Sequence, residues 1–116
     1  MDYKDMELRD FRTPNGICKC GIVLHESTVV VSQLPDYNGP TVTNAIEYIA
    51  QQVCLSDGIS LRDLIVIEHW PIATQLKETF DLVTFGFNDD NTRWIPAWQS
   101  ISREEAERLL GTAIPR

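Results

Sequence analysis

Residues 34–51, LPDYNGPTVTNAIEYIAQ, decide the fold because they end one strand and begin the clearest helix of the chain. An apolar stripe follows one side of this helix, with intervals of four, three, one and three residues between Val42, Ile46, Ile49, Ala50 and Val53. Thr41 stands where a helix N-cap belongs, and Gly58 suits the left-handed residue that ends a helix. The stretch therefore predicts a strand, a tight loop and a helix that begins at Val42.

A loop between a strand and a helix N-terminus can also bind a phosphate, and such loops carry several glycines with a Lys or Arg nearby. Residues 34–51 contain one glycine and no Lys or Arg. Pro35 and Pro40 bracket the turn, which is typical of a chain reversal. We interpret the stretch as a strand end and a helix start rather than as an anion site.

Two strands precede this junction. The segment STVVVSQLP follows ICKCGIVL, residues 17–24, after only two residues, and together they predict a hairpin over about residues 17–34. In the first strand, the alternation places four side chains on one face: Cys18, Cys20, Ile22 and Leu24. Residues 1–16 are predicted to be an N-terminal arm, in which DYKD matches the start of a common epitope tag.

Three further strands follow the helix. LIVIEHW, residues 64–70, is apolar on both faces, so it is predicted to lie in the centre of the sheet. FDLVTFGFN and RWIPAWQSI each alternate, and Pro96 in the second cannot donate a ladder hydrogen bond, which predicts an edge strand or a bulge. The segment between them and the central strand, residues 71–79, has mixed character.

The last element is a helix in which Ser102 and Glu105 form a capping box and Gly111 supplies the stop. The element order is thus β-β-α-β-β-β-α in one domain spanning residues 1–116. We predict the α+β class, with five strands in an antiparallel or mixed sheet and both helices packed on one face. The other face, bearing Trp94 and Trp98, is expected to be an interface or a pocket.

Composition narrows the classes of function. The formal net charge is −7 with no basic stripe, so nucleic-acid binding is not expected. No apolar run approaches the roughly 20 residues that span a bilayer, and the N-terminus is charged where a signal peptide is apolar. Three cysteines cannot all pair within one chain, which agrees with a reducing compartment. These features predict a cytoplasmic protein without a membrane or nucleic-acid partner.

The sharpest candidate for metal chemistry is CKCGIVLHE, where Cys18 and Cys20 share a strand face and His25 follows. With His69 or Cys54, these residues would supply the four ligands of a zinc site. However, His25 lies an odd number of residues from both cysteines and so falls on the opposite face. Free cysteines are also among the most buried residue types, and the segment favours a core strand over a metal site.

IEHWP, residues 67–71, carries a candidate general base. His69 could titrate near neutral pH, and a carboxylate could orient it. Glu68 is adjacent on the strand and faces the opposite side, so the partner would have to be a more distant acid such as Glu26 or Asp36. The alternative is a hydrogen-bonded histidine at the sheet edge beside a solvated glutamate.

No nucleophile with a clear sequence signature accompanies this histidine. Cys54 is near the C-terminal end of the first helix, where the helix dipole raises the pKa of a thiol. The serines show neither a G-x-S-x-G elbow nor an S-x-x-K arrangement, so the sequence gives no support to serine hydrolase chemistry.

Six side chains make up the candidate ligand pocket or interface: Tyr37, Tyr48, His69, Trp70, Trp94 and Trp98. Aromatic residues anchor many interfaces and line many ligand pockets, although on strands they are more often core residues. Tyr48 lies roughly 160° around the first helix from Ile46, away from the buried stripe. That position favours a contact surface.

Taken together, SQLPDYNGPTVTNAIEYIAQQV and RWIPAWQSISREEAERLLG give the chain a resemblance to small bacterial α+β proteins of the kind carried on mobile integron gene cassettes. In these proteins a Pro/Asn/Gly loop and a T-x-T-N or S-x-T-N helix start are followed by IEHW-like and ETFDLVTF-like segments. The resemblance covers most of residues 17–111. It implies no reaction, cofactor or catalytic residue.

The sequence therefore predicts a non-enzymatic interaction or regulatory module that self-associates through an exposed sheet face or edge. A dimer is the expected state, and no cofactor is expected. The alternative is a small-molecule-binding protein or a minor enzyme, with a pocket lined by Trp70, His69, Trp94, Trp98 and Tyr37. A concave pocket with His69 beside a carboxylate would favour that alternative.

Overall fold

The computed structural model describes residues 6–35, 37–71, 78–90 and 93–115. Within these ranges the chain forms six strands and two helices: β1 (Glu7–Thr13), β2 (Gly16–His25), β3 (Thr28–Gln33), α1 (Val42–Asp57), β4 (Ile65–Trp70), β5 (Thr79–Phe87), β6 (Trp94–Ile101) and α2 (Arg103–Leu110). Both helices fall short of the length and apolar character that a bilayer-spanning helix needs.

The six strands form one mixed sheet in chain order, β1-β2-β3-β4-β5-β6. β3 and β4 are parallel, and every other neighbouring pair is antiparallel. A parallel pair needs a crossover connection, and α1 supplies it between β3 and β4. The predicted α+β class is confirmed, with β4 inside the sheet as its two apolar faces predict.

The predicted count of five strands is wrong, because part of the segment assigned to an N-terminal arm forms β1. This strand lies at the edge of the sheet, where Phe11 pairs with Cys18 of β2. Of its seven residues only Phe11 is buried. A strand that buries a single side chain leaves almost no alternating pattern in the sequence. Residues 1–5, with the tag-like DYKD, lie outside the described residues.

The two helices lie on opposite faces of the sheet, which corrects the prediction that they share one face. α1 covers a core that includes Val29 and Val31 of β3, whereas α2 covers a smaller core that includes Val30. All three valines are fully buried. Because successive strand residues point to opposite faces, a run of three buried valines requires cover on both sides.

The junction between β3 and α1 is built as the sequence predicts. The Thr41 hydroxyl accepts a hydrogen bond from the Asn44 N–H at 3.2 Å, and Gly58 ends the helix in the left-handed conformation. The Gln33 side chain, at the end of β3, accepts from the Val42 N–H at 2.8 Å. Two amides at the start of α1 are thus bonded within the chain, which agrees with a structural junction rather than an anion site.

α2 also has the limits that its sequence predicts. The Ser102 hydroxyl accepts from the Glu105 N–H at 3.0 Å, and Gly111 ends the helix in the left-handed conformation. The Glu105 carboxylate pairs with Arg108 one turn later. The helix is therefore well specified by its own residues, and its position depends on the contacts described below.

β6 forms the second edge of the sheet, as Pro96 predicts. The Asn88 N–H donates to the Arg93 carbonyl at 3.1 Å, so the backbone groups of every second residue from Arg93 onward point toward β5. Pro96 belongs to the alternate set, and the position of its missing N–H faces the free edge. A proline there weakens pairing with a further strand.

Candidate functional site

Buried polar side chains gather at the carboxyl ends of the two parallel strands. Ser32 and Gln33 end β3, Glu68 and His69 lie near the end of β4, and all four are buried. In sheets with parallel strands, ligands commonly bind at this end beside the crossover helix. Glu68 and His69 are adjacent, so they point to opposite faces, with His69 on the α2 side and Glu68 on the α1 side.

On the α2 side, His69 joins a serine and a carboxylate. Its Nδ1 lies 2.7 Å from Ser32 Oγ, and its Nε2 lies 2.9 Å from Glu78 Oε1. An ionised carboxylate can only accept, so Nε2 carries the proton and Nδ1 accepts from the serine hydroxyl. The imidazole is fully buried and stacks on Phe80, with ring centroids 4.4 Å apart.

Arg103, the first residue of α2, completes this chain of contacts. Its Nε and Nη2 donate to the two Glu78 oxygens at 3.1 and 2.5 Å, as a bidentate pair. Its Nη1 donates to the Ile114 carbonyl at 3.0 Å, and the guanidinium lies over the Phe80 ring. These contacts hold α2 and the residues after it against the start of β5.

The pKa values of His69 and Glu78 both lie below their ordinary values. Burial lowers the pKa of His69 below its ordinary value and outweighs the hydrogen bond to Glu78, which raises it. Burial raises the pKa of Glu78, but the hydrogen bonds from Arg103 and His69 outweigh burial and hold that pKa below its ordinary value. At neutral pH the histidine is therefore neutral and the glutamate is ionised.

Ser32, His69 and Glu78 are linked in the order of a catalytic triad, but the surroundings of the serine and the histidine do not suit catalysis. Ser32 and His69 are both fully buried, and Phe80 covers the imidazole. A substrate carbonyl would have to reach the serine oxygen, and burial prevents this approach. We interpret the group as a structural one that holds α2 on the sheet.

The lowered pKa values predict two stages of acid destabilisation. When a folded-state pKa lies below the ordinary value, the unfolded chain takes up the proton first, so stability falls as the pH falls. The contribution of His69 to the free energy of unfolding is complete above the ordinary pKa of 6.5 and is lost as the pH falls below that value. The contribution of Glu78 is lost in the same way below 4.5. Urea unfolding from neutral pH down to about pH 3 measures the free energy of unfolding across both stages.

His69→Gln tests the assignment of the first stage. This variant should be less stable at neutral pH but should lack the decline that begins below about pH 6.5, and it should keep the decline at lower pH. An unchanged decline below about pH 6.5 in His69→Gln would contradict the role given to His69.

On the α1 side, three neutral donors surround the Glu68 carboxylate. Thr43 Oγ1 and Trp70 Nε1 donate to Oε2 at 2.7 and 3.0 Å, and Trp98 Nε1 donates to Oε1 at 3.2 Å. Glu68 is only 3% exposed, so the alternative of a solvated glutamate is wrong. Because the donors come from α1, β4 and β6, the carboxylate ties the first turn of α1 and an edge strand to the centre of the sheet.

The six predicted site residues lie in four places rather than in one pocket. Trp70 and Trp98 meet at Glu68, whereas His69 lies on the opposite face. Tyr37 donates to a backbone carbonyl of β2. Tyr48 and Trp94 line a groove beside α1, and Trp94 packs against the core that α1 covers. Trp94 therefore lies on a face that α1 partly covers, whereas Trp98 remains largely exposed.

This α1 groove, about 640 Å³ in volume, lies between α1 and the start of β6. Its lining comes from the helix on one side and from the loop before β4 and the start of β6 on the other: Glu47, Tyr48, Gln51, Cys54, Leu55, Leu61, Arg93 and Trp94. The two charged residues of this set, Glu47 and Arg93, pair with each other. Leu55 is 84% exposed, more than any other large apolar side chain of the described residues. An exposed apolar side chain beside a concave surface is typical of a contact site.

The candidate zinc ligands are separated in the structure. Cys18 and Cys20 are fully buried in the core under α1, whereas His25 Nδ1 donates to the Leu110 carbonyl on the α2 side. Among the residues that the structure describes, no group of three or more His, Cys, Asp and Glu side chains is arranged to hold a metal ion. Burial raises the pKa of the Cys54 thiol, which disfavours the reactive thiolate.

Among the described residues, the carboxylate partner of His69 is Glu78 rather than Glu26. Glu26 lies in the turn between β2 and β3 with a positive φ of 55°, and Asp36 lies outside the described residues. No local signal in the sequence links Glu78 to His69, because the two meet only through the pairing of β4 with β5. The same holds for Ser32, which reaches His69 through the parallel pairing of β3 with β4.

Comparison with protein-family models, with curated proteins and with solved structures finds no match for this chain. The resemblance to proteins of integron gene cassettes therefore stays a prediction.

Proposed function

We propose that the protein is a cytoplasmic, non-enzymatic interaction module that forms a dimer through the outer face of α1. The observation that carries this proposal is the scarcity of charge on that face. α1 contains two charged residues, Glu47 and Asp57, and they pair within the chain with Arg93 and Arg9. Charged residues are depleted in the centre of protein interfaces, so the face has the composition of a contact surface.

Apolar and aromatic side chains occupy the neutral part of this face. Tyr48 and Leu55 are seven residues apart, close to two helical turns, so they lie on the same side of α1. Trp94 lies across the α1 groove from them. Large side chains of these types, next to a groove that can receive them, are the usual anchors of an interface.

A second copy of the chain fits this surface better than another class of partner. A net charge of −7 disfavours nucleic acid, and it makes two copies repel each other except where charge is absent. In a two-fold arrangement centred near Gln51, Leu55 of each copy would enter the groove beside Tyr48 of the other. Each copy then supplies both the projecting side chain and the groove, as a two-fold interface requires.

Both edge strands of the sheet disfavour pairing with a second copy of the chain, which favours a contact through the face of α1. Pro96 removes a donor from the free side of β6. β1, at the other edge, carries charged residues at four of its seven positions, Glu7, Arg9, Asp10 and Arg12. Charged side chains and proline on edge strands disfavour pairing with another chain.

The cytoplasmic part of the proposal is supported by the thiols. All three cysteines are free, including Cys18 and Cys20, which lie two residues apart on one strand face. A reducing compartment keeps such thiols unpaired. Fractionation of cells that produce the untagged chain tests the compartment, and recovery outside the cytoplasm would contradict it.

Leu55→Glu is expected to weaken the dimer by about 2 kcal/mol or more, roughly thirty-fold in the dissociation constant. The substitution removes an apolar anchor and brings like charges together across the two-fold axis. Folding should be unaffected because Leu55 is exposed in the single chain. Sedimentation and light scattering over a range of concentrations measure the change.

Leu8→Glu is the matched control, because Leu8 is also exposed, at 53%, but lies on β1. This variant should associate like the wild type. A wild-type chain that stays monomeric at high concentration, or an equal effect of the two substitutions, would sink the proposal.

Small-molecule binding is the second candidate function. The pocket expected from the sequence is not formed, since His69 faces away from Trp70 and Trp98. A different groove, at the opposite end of the sheet, has a lining that favours a ligand.

A further inference from the structure

This second groove, about 630 Å³ in volume, opens at the end of the sheet away from Glu68 and His69. Its apolar walls come from the loop before β4, the end of β5 and α2, and include Leu61, Leu64, Leu82, Phe85, Phe87 and Leu109. All six side chains remain partly or largely exposed. Volumes of about 300–1,000 Å³ with mostly apolar walls are typical of sites for small ligands.

Arg62 is the one charged residue among the described residues that line the second groove. Its side chain is exposed and makes no ion pair with any other residue in the described ranges. The neighbouring Asp63 accepts from the Ser60 hydroxyl at 3.0 Å instead. An unpaired guanidinium beside an apolar cleft provides charge complementarity for an anionic head group, and its planar fork matches a carboxylate.

We propose that the second groove binds a small amphipathic carboxylate, with its alkyl chain against Ile65, Leu82 and Leu109 on the α2 side of the sheet and its head group at Arg62. The alkyl chain removes the apolar walls from water, which stabilises the complex, and the guanidinium pairs with both carboxylate oxygens. The net charge of −7 repels anions from the rest of the surface, so the selectivity must come from Arg62. The proposal does not depend on the dimer, since only Leu61 also lines the α1 groove.

Three probes with the same alkyl chain and different head groups test the chemistry: decanoate, decanol and decyltrimethylammonium. With the full chain, and below the concentration at which micelles form, calorimetric titration should show saturable binding of decanoate and a raised Tm. Decanol should bind about threefold to fivefold more weakly, because the pair is made at an exposed guanidinium, and the cation should bind more weakly still. Equal affinities for the three probes, or no saturable binding of decanoate, would overturn the proposal.

Arg62→Gln removes the charge from an exposed position and should weaken decanoate binding about threefold to fivefold while leaving decanol binding unchanged. Arg12→Gln is the matched control, because it removes an exposed arginine on β1, outside the second groove. Thr84→Trp adds bulk to the groove lining and should weaken decanoate and decanol alike. Wild-type affinity in Arg62→Gln, or an equal loss in Arg12→Gln, would refute the role of Arg62.

Leu55→Glu separates this inference from the proposed dimer. The variant should bind decanoate with the wild-type dissociation constant, whether or not the wild-type chain associates. Loss of decanoate binding in Leu55→Glu would contradict a site formed by a single chain.

Discussion

Replacing Arg103 with methionine is expected to lower the free energy of unfolding by about 3 kcal/mol. The guanidinium is largely buried and holds the Glu78 carboxylate with two hydrogen bonds. Without it, Glu78 would keep a partly buried charge, and the Ile114 carbonyl would lose its donor. Methionine retains an apolar stem near Phe80, so the loss reports the polar contacts more than the packing.

Arg108→Met is the matched control, because Arg108 lies on the same helix and pairs with Glu105 at the surface. Exposed ion pairs contribute little to stability because water and salt screen them, so this variant should be nearly as stable as the wild type. Urea unfolding followed by circular dichroism measures both variants. Equal losses for the two substitutions would contradict the interpretation of Arg103 as the residue that holds α2 on the sheet.

Elements with a local chemical signal could be predicted from the sequence. Thr41 and Gly58 mark the limits of α1 through interactions that involve only nearby residues. Pro96 alone predicts an edge strand or a bulge, and β6 lies at an edge. β1 could not be predicted in this way, because Phe11 is its one buried residue and its register depends on β2. A strand that buries one side chain and carries no proline or capping signal therefore escapes prediction from local pattern.

The contacts of the candidate site were less predictable because they join residues from different elements. The two-residue period of a strand does predict that Glu68 and His69 face opposite sides, and the structure confirms it. It does not predict that Ser32 pairs beside His69, which requires knowledge of the strand order. Glu78 likewise looks like an ordinary surface acid until β5 is placed next to β4.

Replacing Glu68 with methionine is expected to lower the free energy of unfolding by about 2–3 kcal/mol. The side chain has a similar length but no acceptor, so the Thr43 hydroxyl and the indole N–H groups of Trp70 and Trp98 lose their partner. Trp98 is 42% exposed, and its N–H can turn to water. Most of the loss therefore comes from Thr43 and Trp70, which are partly buried.

Removing the donors as well should recover part of this loss, because unpaired donors rather than the missing charge cause it. Glu68→Met combined with Thr43→Val and Trp98→Phe should be more stable than Glu68→Met alone, by about 1 kcal/mol in urea unfolding. Thr43→Val and Trp98→Phe without the Glu68 change serve as the controls, and each should be destabilising. If the triple variant is less stable than Glu68→Met, the two donors that it removes, Thr43 and Trp98, are not satisfied mainly by this carboxylate.

The same variants connect the buried carboxylate to the proposed dimer. Thr43 belongs to α1 and Trp98 to β6, the two elements that flank the α1 groove, so Glu68 fixes the spacing of its walls without lining it. Glu68→Met should therefore weaken self-association even at concentrations of urea where the chain remains folded. A variant that is less stable but dimerises like the wild type would show that the groove keeps its shape without Glu68. The contact of Thr43 with Glu68, in the first turn of α1, would then affect stability, and the surface around Leu55, near the other end of α1, would affect association independently.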